Sequence, residues 1–201
     1  PMEKEPGSAM HIHQSVVCAN TKENVFSDAD GEASSLFYAH IGGLQRFLPA
    51  SLSLLAPNVN SYRRLIRYHA APINVQWGLD NRTVGLRVPD SGRESRRVEN
   101  RVPGADANPY LAIAASLACG LLGMQQKLDP SAPVTASAYD MPYELPRSLE
   151  QSLQALENSD DLKEMLGTRF VQAWNAVKES EYDTFLQVIS SWEREHLLLN
   201  V

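Results

Sequence analysis

The chain has 201 residues, 43% hydrophobic and 21% charged, enough for one sizeable core and ordinary for a water-soluble globular protein. Its net charge of −6 argues against a nucleic-acid surface, and its longest apolar stretch, from Tyr110, falls short of the roughly 20 residues a membrane span requires. Two cysteines, Cys18 and Cys119, are too few for a disulfide framework; they read as buried small residues in a reducing, cytoplasmic setting, with no secretory leader in view.

In chain order, "AMHIHQSVV" alternates and ends in β-formers, which predicts a strand over 9–17. A polar loop follows. From Ser35, the spacing of Leu36, Ala39, His40, Gly43, Leu44, Phe47 and Leu48 predicts a helix that Pro49 kinks or divides. "INVQWGL", a turn around Asp80-Asn81 and "TVGLRV" suggest a β-hairpin, and "RRVENRV" a third short strand. Asn108-Pro109 signals an N-cap and first helical residue for a helix to about Gln126. After a proline-punctuated connection, Ser148 and Gln151 make a capping-box start. Ser159 opens a further helical region to about His196, read as two helices. The expected class is α+β, with antiparallel strands first and helices increasing toward the C-terminus. Two stretches follow: 1–129, and 130–201 with the connection and C-terminal helices of the same domain.

Charge is unevenly placed. Nine arginines and only four acids lie between Asn60 and Arg101, a local excess of +5 in an acidic chain. Planar guanidinium forks suit carboxylates and phosphates, so the cluster suggests a pocket for a small anion; a set of surface ion pairs would give the same composition. On a strand, residues two apart share a face, so His11, His13 and Ser15 point one way. Such a pair can hold a metal, or can be two half-exposed histidines. In "RRVENRV", Arg97, Glu99 and Arg101 share a face opposite Val98 and Val102. A carboxylate between two arginines stays ionised and suits a divalent cation such as Mg²⁺ or Mn²⁺.

Read in order, "GSAMHIHQS", "NSYRRL", "AP", "NRTVGLRVP" and "RRVENRVPGADANPYLAIAA" resemble the C-terminal half of the glutamine synthetase catalytic domain, over about residues 6–126. The wording "PGSAMHIHQSVV", "APINV" and "NPYLAIAASLACG" is most similar to the γ-glutamylpolyamine (γ-glutamylputrescine) synthetase branch. The C-terminal helices match more loosely. The resemblance implies an ATP-dependent ligase that phosphorylates the side-chain carboxylate of glutamate and lets an amine displace the phosphate. It implies His11 and Glu99 as ligands of a divalent metal, and His13, Ser15, Arg87 and Arg97 on the ATP side. Gly7, Arg64, Arg82 and Arg101 are implied around glutamate, with Arg64 and Arg82 serving the transferring phosphoryl group. Homo-oligomeric rings are implied for the full-length protein.

Two departures stand out. Where glutamine synthetases proper carry a glutamate that handles ammonium, just before "AP", this chain has Ala70, preceded by Arg67, Tyr68 and His69. The family's N-terminal domain and the glutamates of its other metal lie upstream of the matching region, so the chain reads as a C-terminal half, expected to be inactive alone. A truncated, non-catalytic binding module is the alternative. Tyr139 resembles the tyrosine of a "YDLP" loop that is adenylylated in some bacterial members, but reads more simply as a loop tyrosine over a hydrophobic patch.

Overall fold

The structure, a computed structural model, describes residue 5 and residues 7–200; Pro6, where the resemblance begins, lies outside them. Four three-residue strands form one sheet: β1 (Ile12–Gln14), β2 (Trp77–Leu79), β3 (Leu86–Val88) and β4 (Val98–Asn100), in the order β1-β4-β3-β2. The helices are α1 (Ser35–Phe47), α2 (Leu52–Leu55), α3 (Pro109–Gln126), α4 (Leu149–Glu157), α5 (Asp160–Leu166), α6 (Thr168–Leu186) and α7 (Ser191–Leu197). The α+β class therefore stands. Among the described residues, no helix is long and apolar enough to cross a membrane.

Local chemistry sets the helix starts. The Ser34 hydroxyl accepts from the Phe37 N–H, and the Asn108 side chain accepts from Tyr110 and Leu111 ahead of Pro109. The expected capping box at α4 is only half formed. Ser148 accepts from the Gln151 N–H, but the Gln151 carboxamide reaches the N–H of Arg147 instead.

Three other expectations need correction. The first strand is shorter than 9–17, continued only by single bridges at Ala9–Gly104 and Val17–Asn24. The region after Ser159 makes three helices, not two. Gly167, at φ +96°, divides α5 from α6, and a capping box at Ser190 and Glu193 starts α7. The third correction concerns the hairpin: β2 and β3 run parallel, with Trp77 opposite Leu86, while β4 is antiparallel to both β1 and β3. A tight type I′ hairpin turn needs two adjacent residues that tolerate positive φ. Here Asp80 alone takes one, and the Asn81 carboxamide is tied to the carbonyls of Val134 and Ala136. The chain loops away and returns in the same direction.

Helices α1 and α3 cross at backbone contact. A Cβ on Gly123 would lie 2.2 Å from the Ala39 carbonyl oxygen, and one on Gly43 would lie 2.3 Å from that of Cys119. Only hydrogen at both positions permits the approach. The same helix then supports the sheet. Ser116, fully buried, accepts from the Asn100 amide at 2.9 Å and donates to Gln14 at 2.5 Å, linking α3 to β4 and β1. Cys119 is buried in this layer, whereas Cys18 is only half-buried, contrary to the reading of both as buried residues. The core continues through Leu145, Leu149, Leu153, Leu156, Leu162 and Val171, so residues on both sides of 129–130 share it.

The seam also buries His40, whose ring nitrogens meet no hydrogen-bond partner among the described residues. It packs at 5.0 Å from the Phe26 ring, and a Cβ on Gly120 would lie 2.1 Å from its Cε1. Burial pushes its pKa down to about 4.

Two expectations follow from this packing. Gly123→Ala should force α1 and α3 apart and lower stability by about 3 kcal/mol, whereas Gly92→Ala, with open space around it, should be near neutral. Paired denaturant titrations check this. Because His40 is neutral in the fold but titrates near 6.5 when unfolded, stability should be intact above that pH. It should then fall by about 3 kcal/mol as pH drops from about 6.5 towards 4. His40→Leu should flatten that part of the profile, and an unchanged slope would refute the assignment.

Candidate active site

The face of the sheet turned away from α3 gathers the charged residues. Val98 and Asn100 point into the core from β4, so Glu99 between them points the other way. The register sets His13 of β1 and Arg87 of β3 directly across from it on either side. Cross-strand neighbours share a face, and the row is a histidine, a carboxylate and a guanidinium.

Glu99 is the hub. Only 3% exposed, it takes the Arg87 Nη1–H on Oε2 at 2.8 Å and the Arg101 Nη1–H on Oε1 at 3.0 Å. His11 Nδ1 also lies 2.9 Å from Oε1, across 88 intervening sequence steps. Burial resists ionisation of this carboxyl, but the Arg87 hydrogen bond and the charges of Arg101, His11 and Arg87 outweigh it, and the pKa falls below the ordinary carboxylate value. His11 moves the other way from protonation. Burial first, then the charge of Arg101, lowers its pKa against the pull of Glu99, which favours the neutral imidazole. An ionised carboxylate and a neutral imidazole on one face are the donor types a hard divalent cation accepts. Among the described residues no third His, Cys, Asp or Glu joins them, so water or ligand oxygens would have to complete the shell.

The other expected residues divide between this hub and its margins. Arg97 Nε donates to His13 Nδ1 at 3.3 Å, and Ser15 lies exposed just beyond the end of β1. Arg87 is gripped at both ends, since Nη2 pairs with Asp80. The Nε atoms of Arg87 and Arg101 are buried with no hydrogen-bond partner among the described residues. Arg64 is 9% exposed, donates to the Val102 carbonyl and has its pKa brought down to about 10 by burial. Its stem explains Gly7: a Cβ there would stand 2.8 Å from Arg64 Cγ. Arg82 is the outlier. It sits exposed on the loop between β2 and β3 and makes no hydrogen bond or ion pair among the described residues.

Gly7 and Arg64 also line a cavity of about 910 Å³ with Arg63, His69, Asp106 and Trp192 of α7. Arg82 and Arg101 are not among its lining residues. Arg87 and Arg101 surround Glu99, Arg64 borders the cavity, and Arg82 lies on the β2–β3 loop.

Asp140, Met141 and Tyr143, which the sequence did not single out, help strap the segment before Ala70 in place. The Arg67 N–H donates to the Tyr143 hydroxyl at 3.3 Å, its guanidinium donates to the Met141 carbonyl at 3.0 Å and lies over the Tyr143 ring at 5.1 Å. The Tyr68 hydroxyl donates to Asp140 at 2.8 Å, and its ring meets that of Tyr139 edge-on at 5.5 Å. Tyr68 and Ala70 both have left-handed backbone, at φ +63° and +59°. No short motif announces such a strap; its two halves are about 72 residues apart in sequence.

Comparison with known proteins places the chain in a family. The sequence matches the family described as glutamine synthetase, catalytic domain, over residues 1–197. It is 42% identical to the γ-glutamylputrescine synthetase PuuA of Escherichia coli (strain K12), over 100% of this chain and 42% of that protein. It is 38% identical to type-1 glutamine synthetase 2 of Dictyostelium discoideum, over 98% of this chain and 39% of that one. A solved structure described as a GmaS/ADP complex superposes with a TM-score of 0.85 at 32% identity, covering 96% of this chain and 46% of the other. The chain spans about two fifths of the length of these curated relatives. By the family match and the shared fold, this chain belongs to the glutamine synthetase family.

Proposed function

We propose that the chain supplies the nucleotide- and glutamate-binding wall of an ATP-dependent ligase that joins the γ-carboxylate of glutamate to an amine through γ-glutamyl phosphate. The observation that carries this reading is the Glu99 hub, a buried ionised carboxylate touching a neutral imidazole and flanked by guanidinium groups. In-line phosphoryl transfer is accelerated mainly by positioning and by charge placed where the phosphoryl oxygens move. His11 and Glu99 would hold a divalent cation, Mg²⁺ or Mn²⁺, whose chemistry is to neutralise phosphate oxygens. Arg87, Arg97, His13 and Ser15 serve the nucleotide side. Gly7, Arg64, Arg82 and Arg101 serve glutamate, and Arg64 and Arg82 meet the charge that develops on the transferring group. The unpartnered Nε–H groups of Arg87 and Arg101 support an anion nearby, because buried donors are normally satisfied. As in the ring-forming arrangement implied by the family resemblance, the rest of the site comes from parts of the subunit, or of its neighbour, beyond these 201 residues.

The acceptor is an organic amine, with putrescine-like diamines the leading class. Capturing ammonium and taking its proton calls for a carboxylate near the reacting phosphate. Ala70 offers neither charge nor bulk, is exposed, and follows Arg67 and His69. Similarity to the E. coli γ-glutamylputrescine synthetase supports this choice. Similarity to the Dictyostelium glutamine synthetase supports the second reading, ammonia as acceptor.

Parallel steady-state assays of the intact subunit with ammonium, monoamines and diamines decide between them; kcat/KM should be higher for the primary diamine, and a clear preference for ammonium returns the enzyme to glutamine synthesis. Arg82→Lys should lower kcat/KM by ~10²-fold while leaving the melting temperature unchanged, because the planar fork is lost but the charge stays. Wild-type kinetics in that variant would remove Arg82 from the reaction. Glu99→Gln should behave differently. It leaves the buried Arg101 guanidinium without its counter-charge, and should cost about 3 kcal/mol of stability as well as activity.

A further inference from the structure

Two residues before Ala70, the Tyr68 ring stands 67% exposed and meets the half-buried Tyr139 ring edge-on at 5.5 Å. Its hydroxyl donates to Asp140 Oδ1 at 2.8 Å. Most of the Asp140 carboxylate is left unused. It is exposed, accepts no other side-chain hydrogen bond and forms no ion pair among the described residues. Aromatic rings beside an uncompensated carboxylate are the groups that hold an alkylammonium, through the π-face and the opposite charge.

The surroundings keep this corner in place. The turn Ala138–Asp140 is fastened from within: the Asn74 amide donates to the Ala138 carbonyl at 2.8 Å, and the Ala138 N–H donates to Thr83 Oγ1 at 2.8 Å. The opposite wall is the segment with left-handed backbone at Tyr68 and Ala70. Arg67, the neighbouring cation in that segment, is directed to the Met141 carbonyl and the Tyr143 ring, on which Arg147 also packs at 4.8 Å. Burial raises the pKa of the Tyr139 hydroxyl and the charge of Arg101 pulls it back, so this ring lies within electrostatic reach of a partner of Glu99.

We propose that Tyr68, Tyr139 and Asp140 form the subsite for the far, charged nitrogen of a diamine acceptor. This deepens the organic-amine reading of the acceptor and rests on it. The reacting nitrogen must lose its proton to attack the γ-glutamyl phosphate, whereas the far one, with a pKa of about 10 like that of lysine, stays an ammonium. Ala70 leaves room for the carbon chain, and the aromatic corner begins two residues away along the same segment. Ammonia and monoamines have no second charge to place there, so the subsite selects by charge and not by length.

Asp140→Asn tests this in the intact subunit. The amide oxygen can still accept from Tyr68, so the strap stays while the charge goes. The paired acceptors are putrescine and butylamine, which share a carbon chain and differ by the second nitrogen. The variant should raise KM for the diamine at least about tenfold more than KM for the monoamine. Asp140→Glu, which restores the charge, should recover much of that ratio. Equal increases for the two amines would make Asp140 a strap residue alone and overturn the subsite, as would no change in either. A wild-type enzyme that prefers ammonium refutes the organic-amine reading instead. The subsite is then judged by putrescine inhibition of ammonium turnover, which Asp140→Asn should weaken at least about tenfold. An unchanged inhibition constant, or a wild-type enzyme that putrescine does not inhibit, overturns the proposal.

Discussion

The contact between the backbones of α1 and α3 is the constraint on which the rest of this structure depends. Gly43 and Gly123 let two helices meet with no side chain between them, and that separation fixes where the outer wall of α3 lies. From that wall, Ser116 reaches Gln14 and Asn100 together. A serine hydroxyl can donate once and accept, and here it does both, so β1 and β4 are held from below by one atom. The charged face above inherits its register from this arrangement. Glu99 lies opposite His13 because Asn100 and Gln14 are pinned on the other side.

Electrostatics on the upper face then follow from burial. A carboxylate this deep would be costly alone, and both its oxygens are occupied by guanidinium or imidazole nitrogen. The same groups that make Glu99 tolerable lower its pKa below the ordinary carboxylate value, and the two arginines that neutralise it also supply positive field to whatever approaches the face. Structural and functional roles are therefore not separable at Glu99, Arg87 and Arg101. They are more separable at Arg82, which the fold does not use.

What was legible in the sequence was what depends on local spacing. The period-two pattern of β4 put Arg97, Glu99 and Arg101 on one face, and Asn108-Pro109 marked the start of α3 to the residue. Family wording named the charged residues and paired His11 with Glu99, but not the hydrogen bonds that Arg87 and Arg101 make to that carboxylate. The parallel pairing of β2 and β3 was not legible, because it is decided by the grip of Asn81 on carbonyls more than fifty residues away. Nor was Asp80 as the second partner of Arg87, or the strap from Tyr68 and Arg67 to the loop at Asp140–Tyr143. These contacts join segments that share no periodic pattern, and single-residue identity does not signal them. The glycines of the seam were visible as residues, yet the closeness they permit became evident only with both helices in place.

The left-handed backbone at Tyr68 and Ala70 bears on how such an enzyme could change its acceptor over evolutionary time. That conformation costs roughly 1 kcal/mol for any residue with a Cβ, so Tyr68 and Ala70 both bear it, and the segment is held in it by Asp140, Met141 and Tyr143. Introducing a carboxylate at position 70 alone would add no backbone cost that Ala70 does not already bear, but it would leave the strap that shapes the segment as it is. On the proposed reading, in which this segment faces the acceptor, the path between amine and ammonia use would run through joint replacement of two distant segments, which descent by single steps makes slow. Lineages would then keep their acceptor class for long periods even while the rest of the surface drifts.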